Sequence, residues 1–129
     1  MDLTYLLDTS TLIWAVSGPT LNSPAAREAL DSGDVLLVSA ASAWEIATKH
    51  RVGRLPRVDA LVAHWEQELE RFNLEQLEIS HRHALRGGSI DVDHSDPFDR
   101  IIAAQAELED LTLIAKDRAF DLFPVRRLW

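Results

Sequence analysis

The clearest structural signal in the chain lies in residues 94–106, which read HSDPFDRIIAAQA. The first residues of this stretch have the residue types that are typical of a helix N-terminus. Ser95 or Asp96 can cap the first turn, and Pro97 suits the first helical position because its missing N–H would be unpaired there. Apolar side chains then recur at helical spacing, which predicts one buried face. Asp99 falls in the first turn beside that face, where an acid either caps the helix or belongs to a site.

The composition is that of a globular protein. Of the 129 residues, 47% are hydrophobic, too many for a disordered chain. The absence of cysteine excludes disulfides and thiolate zinc sites. Because the first residues contain neither a basic segment nor a long apolar run, we expect a cytoplasmic protein with no membrane partner. No repeat or linker interrupts the sequence, so we expect one domain over residues 1–129.

The net charge of −8 limits how the chain can bind nucleic acid. A protein that holds nucleic acid through phosphate contacts alone is expected to be basic. Either this chain does not bind nucleic acid, or part of its acidity forms a cluster that holds cations. Basic residues are dense in one run, which is either a solvated face or a phosphate-binding surface. The run consists of Lys49, Arg51, Arg54 and Arg57.

Apolar runs that read as strands alternate with segments that read as helices. The predicted strands are Leu3–Leu7, Val35–Val38, Leu74–Ile79 and Leu111–Ala115, with Val125–Leu128 as an edge strand. The predicted helices are 24–31, a segment through Trp44 that ends near Gly53, Val58–Phe72, and His81–Arg86 stopped by Gly87-Gly88. This alternation predicts an α/β fold with three layers, in which helices cover both faces of a mostly parallel sheet.

Four acids occupy similar places in this pattern. Asp8 ends the first strand, Glu45 lies in the helix after the second strand, Asp99 begins the next-to-last helix, and Asp117 follows the fourth strand. Each has a structural alternative, since Asp8 and Asp117 can cap the helices that follow them and Glu45 can form a capping box with Ser42. Because strand-to-helix junctions share one edge of a parallel sheet, we expect the four carboxyl groups to converge there.

Carboxylates gathered at one edge repel one another unless a cation neutralises them. Hard oxygen ligands of this kind suit Mg²⁺ or Mn²⁺, and such an ion supports phosphodiester hydrolysis. The rest of the sequence offers no competing site. The histidines lack zinc-type spacing, and no glycine-rich phosphate loop is present.

At these motifs the chain resembles the PIN-domain family, specifically the VapC-type toxins of toxin–antitoxin pairs. The resemblance covers nearly the whole chain. Its third and fourth motifs are the most specific in order and spacing. The motifs are LLDTS (6–10), SAWEIA (42–47) with GRL (53–55), DPFDRIIAAQA (96–106) and LTLIAKDRAF (111–120).

The resemblance implies a metal-dependent endoribonuclease with a compact α/β/α domain, inhibited by a cognate antitoxin, and it suggests a homodimer. By position, Asp8, Glu45, Asp99 and Asp117 match the family's acidic quartet. The same match gives Thr9 or Ser10 as the small hydroxyl residue and Asp96 as an additional acid.

Independently of the resemblance, the run of Lys49, Arg51, Arg54 and Arg57 is expected to hold flanking phosphates of RNA, and Lys116 and Arg100 to neutralise charge nearer the acids, with a surface position or a pair with Asp96 as the alternatives for Arg100. Trp44 and Trp65 are expected as interface anchors, with burial in the core as the alternative.

Other functions compete with this interpretation. A phosphatase of the haloacid-dehalogenase type needs a second Asp two positions after the first, where this chain has Ser10. A receiver-type phosphoacceptor domain would use an Asp after the second strand, where Ser39 stands. A non-enzymatic binding module, in which the acids are only helix caps, is the third possibility.

Overall fold

The computed structural model describes residues 3–18, 21–55 and 58–129. Its elements in chain order are β1 (Thr4–Leu7), α1 (Thr9–Ser17), α2 (Pro24–Asp31), β2 (Val35–Ser39), α3 (Ala40–Arg51), α4 (Asp59–Ala63), α5 (Trp65–Arg71), β3 (Glu75–Leu77), α6 (His81–Ser89), α7 (Pro97–Leu108), β4 (Thr112–Ile114), a 3-10 helix (Arg118–Leu122) and β5 (Arg126–Leu128). Within these ranges no helix has the length and hydrophobicity needed to cross a membrane.

The five strands form one parallel sheet in the order β3-β2-β1-β4-β5. The central strand, β1, pairs with β2 on one side and β4 on the other, so that Leu7 lies between Val38 and Ile114. The predicted edge strand near the end of the sequence is confirmed as β5. Because the chain passes from β1 to β2 on one side and later crosses to β4 on the other, the strand order reverses between β1 and β4. In such sheets ligands bind at this reversal, beyond the carboxyl ends of the strands.

Successive side chains of β1 point to opposite faces of the sheet, and each face has its own core. Leu7 belongs to a cluster with apolar residues of α1 to α5. Leu6 belongs to the other cluster, with apolar residues of α7 and the two phenylalanines at and after the 3-10 helix. Helices therefore cover both faces, and the predicted three-layer α/β/α architecture is confirmed.

The predicted helix Val58–Phe72 is wrong in one respect, because the segment forms two helices, α4 and α5. The backbone leaves the helical region at His64, where φ is −138° and ψ is 51°. Leu61, Trp65 and Leu69 keep a spacing of four residues across this break, and all three pack into the same core. The apolar pattern is continuous there and does not reveal the break.

The predicted stop at Gly87-Gly88 is also wrong, since α6 continues to Ser89. A Cβ atom at Gly87 would lie 3.2 Å from the carbonyl oxygen of Arg100 and 3.3 Å from the Cα of Ile101. Gly87 is therefore small because α6 and α7 cross closely at this point. Tertiary packing overrides the low helix propensity of glycine here.

The two adjacent glycines of α6 are predicted to respond in opposite ways to alanine. At Gly88 no atom of another segment among the described residues lies within 4 Å of the added Cβ, so Gly88→Ala should raise the free energy of unfolding by about 0.5–1 kcal/mol. At Gly87 two of the three nearest atoms belong to the α7 backbone, which cannot shift without moving the helix, and Gly87→Ala should lower the free energy of unfolding by about 1–3 kcal/mol. Urea unfolding of both variants measures the difference. Equal effects would show that the α6–α7 crossing does not depend on the missing side chain.

Candidate functional site

The predicted acidic residues lie at the carboxyl edge of the sheet, around the reversal between β1 and β4. Asp8 directly follows β1, and its N–H donates to the carbonyl oxygen of Ile114 at the end of β4 (3.2 Å). Asp117 lies three residues beyond β4. Both line one cavity of about 440 Å³. The structure thus places the first and last acids of the predicted quartet on either side of the strand reversal.

Asp8 is a buried carboxylate in contact with a helix start. Its Oδ1 accepts a hydrogen bond from the N–H of Thr11 (2.9 Å), so the predicted capping role is real. A capping carboxylate ordinarily has a lowered pKa. Here burial raises the pKa of Asp8 to about 6 despite the cap, and the negative charges of Asp99 and Glu45 raise it further. Capping alone does not explain why this acid is buried beside two others.

Glu45 is not part of a capping box. The helix cap of α3 is Ser39, whose hydroxyl accepts from the N–H of Ala41 (2.9 Å), so the helix begins one turn before the predicted box. Glu45 therefore lies well inside α3 and is only 5% exposed. Its Oε2 accepts a hydrogen bond from Lys49 Nζ, and its buried Oε1 has no hydrogen-bond partner in the part of the chain that the structure describes. An unpaired buried carboxylate oxygen is costly, and a ligand-binding role accounts for it better than a cap does.

Asp96 caps α7, whereas Asp99 belongs to the group of acids at the sheet edge. Asp96 accepts from the N–H groups of Phe98 (2.9 Å) and Asp99 (3.2 Å). The carboxylate of Asp99 is thereby left for His94, whose Nε2 lies 2.9 Å from Oδ2. Burial raises the pKa of Asp99 above its usual value, the hydrogen bond from His94 lowers it, and the charges of Asp96 and Glu45 raise it. Asp99 is thus electrostatically coupled to the other acids.

The two predicted hydroxyl residues have different positions. Thr9 is buried, and its Oγ1 lies 2.9 Å from the Oγ of Ser42, which joins the start of α1 to α3. Ser10 is exposed and lines the same cavity as Asp8 and Asp117. Thr9 therefore links the start of α1, next to Asp8, to α3, which carries Glu45. Ser10 instead lines the cavity.

Arg100 binds main-chain carbonyl oxygens, a role that differs from the three considered from the sequence, namely neutralising the acids, lying at the surface or pairing with Asp96. Its guanidinium donates to four main-chain carbonyl oxygens, those of Gly87 (2.8 Å), Ile90, Val92 (3.0 Å) and His94 (2.8 Å). The segment between α6 and α7 is therefore wrapped around this one side chain, which places the His94 ring against Asp99. Sequence reasoning missed His94, although its position in the loop that enters the Asp99 helix was a usable signal.

Asp117 is the most exposed of the four acids. It caps the 3-10 helix, accepting from the N–H of Ala119 (2.9 Å), as the structural alternative predicted. Its connection to the other acids is the shared cavity with Asp8. Its sequence neighbours Lys116 and Arg118 line that cavity too, and so does Trp14 of α1, a residue that the sequence reasoning also missed. The signal was its spacing, since Ser10 and Trp14 are four residues apart on one helix.

The residues of the basic run differ in their surroundings. Lys49 is engaged with Glu45. Arg51 ends α3 and Arg54 follows it, both exposed and without an acid partner among the described residues. Arg57 lies outside the described residues. The run therefore begins at the acids and leads away from them along α3.

The donor atoms at this edge suit a divalent cation. Oxygen ligands from Asp8, Glu45 and Asp99 are hard donors, and their mutual repulsion and the orphaned Oε1 of Glu45 are both relieved by positive charge. In the described ranges, no three His, Asp or Glu side chains are grouped tightly enough to enclose an ion. Lys49 and His94 supply the local positive or hydrogen-bonding partners instead.

Asp8 is predicted to make the folded protein less stable as the pH rises. Its pKa is about 6 in the fold against 3.8 ordinarily, so the protonated form stabilises the fold below pH 4 and that contribution is lost as the pH rises through 6. Asp8→Asn keeps a helix cap without the charge. In chelator, it should match the wild type near pH 4 and exceed it above pH 6 by about 2–3 kcal/mol.

Urea unfolding from pH 4 to 8 tests this expectation. The control is Asp93→Asn, which removes an exposed acid and should leave the pH profile unchanged. A variant Asp8→Asn that is less stable than the wild type at every pH would mean that the carboxylate serves the fold only as a cap.

Comparison with known proteins agrees with this architecture. The family model described as "PIN domain" matches residues 5–125. Ribonuclease VapC16 of Mycobacterium tuberculosis is 36% identical over 53 residues, which are 41% of this chain and 38% of that protein's length. Two solved structures share the fold at low sequence identity, namely VapBC2 of Rickettsia felis bound to a promoter DNA fragment (17% identical, 97% of each chain, TM-score 0.67) and FitAcB of Neisseria gonorrhoeae (20%, 95% of each chain, TM-score 0.66). Since the family model spans almost the whole sheet and the acidic edge, the chain belongs to the PIN domain family.

Proposed function

We propose that this chain is a divalent-metal-dependent endoribonuclease of the VapC type and acts as the toxin of a toxin–antitoxin pair. The observation that carries the proposal is the burial of Asp8 at the carboxyl end of the central strand, beside Glu45 and Asp99, with its pKa raised to about 6. Three carboxylates that repel one another at this place do not stabilise the fold. The partial match to a protein named as a ribonuclease adds RNA as the substrate.

We assign Asp8, Glu45, Asp99 and Asp117 as the residues that hold Mg²⁺ or Mn²⁺. When bound, the ion lowers the pKa of a water molecule and polarises the scissile phosphate. The chain supplies the rest. Thr9 and Ser42 fix the separation of α1 and α3, and Arg100 with His94 fixes the orientation of Asp99. Lys49 balances the charge of Glu45 when no cation is bound.

RNA approaches a surface whose net charge is −8. Neutralisation of the acids is therefore required before phosphates can come near, and binding of RNA depends on metal. Arg51 and Arg54, exposed at the end of α3, then hold phosphates that flank the site.

The partners proposed are a cognate antitoxin and a second copy of the chain. The structures that share this fold include toxin–antitoxin complexes, such as one from Klebsiella pneumoniae (22% identical, 88% of this chain, 87% of the other, TM-score 0.58). Trp44, a predicted interface anchor, is 59% exposed and stands edge-on to Phe98 at 4.7 Å, so it suits an interface. Trp65 instead packs against the core, and its indole N–H donates to Gln76. It is not an anchor in this proposal.

Cleavage of total RNA by the purified protein tests the proposed function. The wild type should cleave with Mg²⁺ or Mn²⁺ and be inactive in chelator. Asp99→Asn should lose at least about a hundredfold in rate, the scale at which charged groups stabilise phosphoryl transfer. Calorimetric titration should show metal binding by the wild type and much weaker binding by Asp99→Asn.

The matched control is Asp93→Asn, an exposed acid in the loop before α7, which should keep both cleavage and metal affinity. Cleavage that survives in chelator or in Asp99→Asn would refute the proposed site. Failure of the wild type to bind either metal better than an unstructured acidic peptide would favour a binding module in which the acids are caps.

A further inference from the structure

One cavity at the acidic edge has a chemical character that the acids do not explain. Its volume is about 440 Å³, within the range of small-ligand pockets. It is lined by Asp8, Ser10, Trp14, Lys116, Asp117 and Arg118. We propose that this cavity, the Trp14 pocket, is a subsite for one nucleotide of single-stranded RNA next to the scissile phosphate. The base lies against the indole of Trp14, and a phosphate lies at Lys116 and Arg118. The inference rests on the proposed ribonuclease function.

The indole of Trp14 is held in a fixed position rather than buried in the core. Its ring centroid lies 5.3 Å from that of Trp129, with 42° between the planes, and Trp129 itself packs against the core. Trp14 is half-buried, so part of its ring borders the cavity. A rigid aromatic face beside a catalytic site provides a stacking surface that accepts any base.

The positive charges of the pocket are available for an anion. Lys116 Nζ lies 6.0 Å from the centroid of the Trp14 ring, and neither Lys116 nor Arg118 has a salt bridge to an acid among the described residues. Most other described cations are engaged. The ion-paired ones are Arg27, Lys49, Arg71, Arg86, Arg126 and Arg127, while Arg100 binds main-chain carbonyls. Lys116 and Arg118 thus lie beside Asp8 and Asp117 without a salt bridge among the described residues, and the charge of Arg118 also lowers the pKa of Asp121.

A nucleotide matches this combination better than other ligands do. A multiply acidic ligand would be repelled by Asp8 and Asp117, and a purely apolar one would leave Lys116 and Arg118 without a partner. A nucleotide brings a flat base and one phosphate on the same unit. A larger cavity, of about 470 Å³, lies at the amino ends of β2 and β3. It is lined by Asp31, Asp34 and Glu75 and by no Lys or Arg, so it repels phosphate.

Binding experiments with two probes separate base stacking from phosphate contacts. The probes are a short fluorescein-labelled single-stranded RNA and the same ribose-phosphate chain without bases. The parent protein is the wild type with Ca²⁺ in place of Mg²⁺, because Ca²⁺ takes oxygen ligands and neutralises the acids but lacks the tight octahedral geometry of Mg²⁺, so that RNA stays intact. In this background Trp14→Ala should weaken binding of the RNA by about tenfold and leave binding of the abasic chain unchanged. The double variant Lys116→Ala/Arg118→Ala should weaken binding of both probes and reduce the salt slope by about 0.7, because the two cations together hold one phosphate.

Two controls match these variants. Arg82→Ala removes an exposed cation of α6 that has no acid partner among the described residues, and it should leave both affinities unchanged. Quenching of tryptophan fluorescence by the RNA should be lost in Trp14→Phe and retained in Trp65→Phe, since Trp65 packs against the core on α5.

The possible failures are distinguishable. If the wild type does not cleave RNA and the parent does not bind it, the proposed function fails and the subsite with it. If the wild type cleaves RNA but Trp14→Ala binds the RNA as the parent does, only the subsite is refuted. An equal loss for both probes in Trp14→Ala would assign the ring to structural support. Loss of a co-purified protein partner with unchanged RNA affinity would assign the pocket to that partner and overturn the proposal.

Discussion

The structure depends on an unfavourable electrostatic arrangement that the sheet imposes. The carboxyl ends of parallel strands lie at one edge of the sheet. Asp8, Glu45 and Asp99 lie near this edge, and burial there disfavours the charged forms of Asp8 and Asp99. The fold compensates locally: Thr11 donates to Asp8, Lys49 to Glu45, and His94 contacts Asp99. These partners reduce the repulsion without removing it, because the pKa values of Asp8 and Asp99 stay raised. Selection for stability alone would favour neutral residues at these positions, so the presence of the acids indicates a functional role.

The architecture, and the edge of the sheet at which the acids lie, were predictable from sequence. Alternation of apolar runs with amphipathic segments is enough to predict a parallel sheet, and a parallel sheet is enough to predict which edge the acids share. Local capping signals were less decisive. The pattern Ser42-x-x-Glu45 satisfies the capping-box rule, yet Ser39 caps α3, because the four small residues 40–43 extend the helix toward the strand. The capping-box pattern shows only that Ser42 and Glu45 are able to cap a helix, and whether they do so depends on where the helix begins.

What could not be predicted depends on contacts between distant or irregular segments. Gly87 is tolerated inside α6 because of α7, which no local rule describes. The four hydrogen bonds from Arg100 to carbonyl oxygens exist only once the segment between α6 and α7 has folded back, and a sequence read one window at a time assigns this arginine to the surface or to an ion pair. The orientation of His94, and through it that of Asp99, follows from this irregular loop and not from any regular element.

The pairing of β1 with β4 determines when the site can exist during synthesis. Leu7 and Ile114 lie side by side although the whole length of the intervening chain separates them. At translation speeds of about 5–20 residues per second, the first strand waits roughly 5–20 s for this partner. Until then Asp8 has no neighbour at β4, and the edge that gathers the acids is incomplete. Closing so long a loop also slows folding. The acidic edge therefore forms only after β4 has been synthesised, and a nascent chain that ends before residue 114 lacks it.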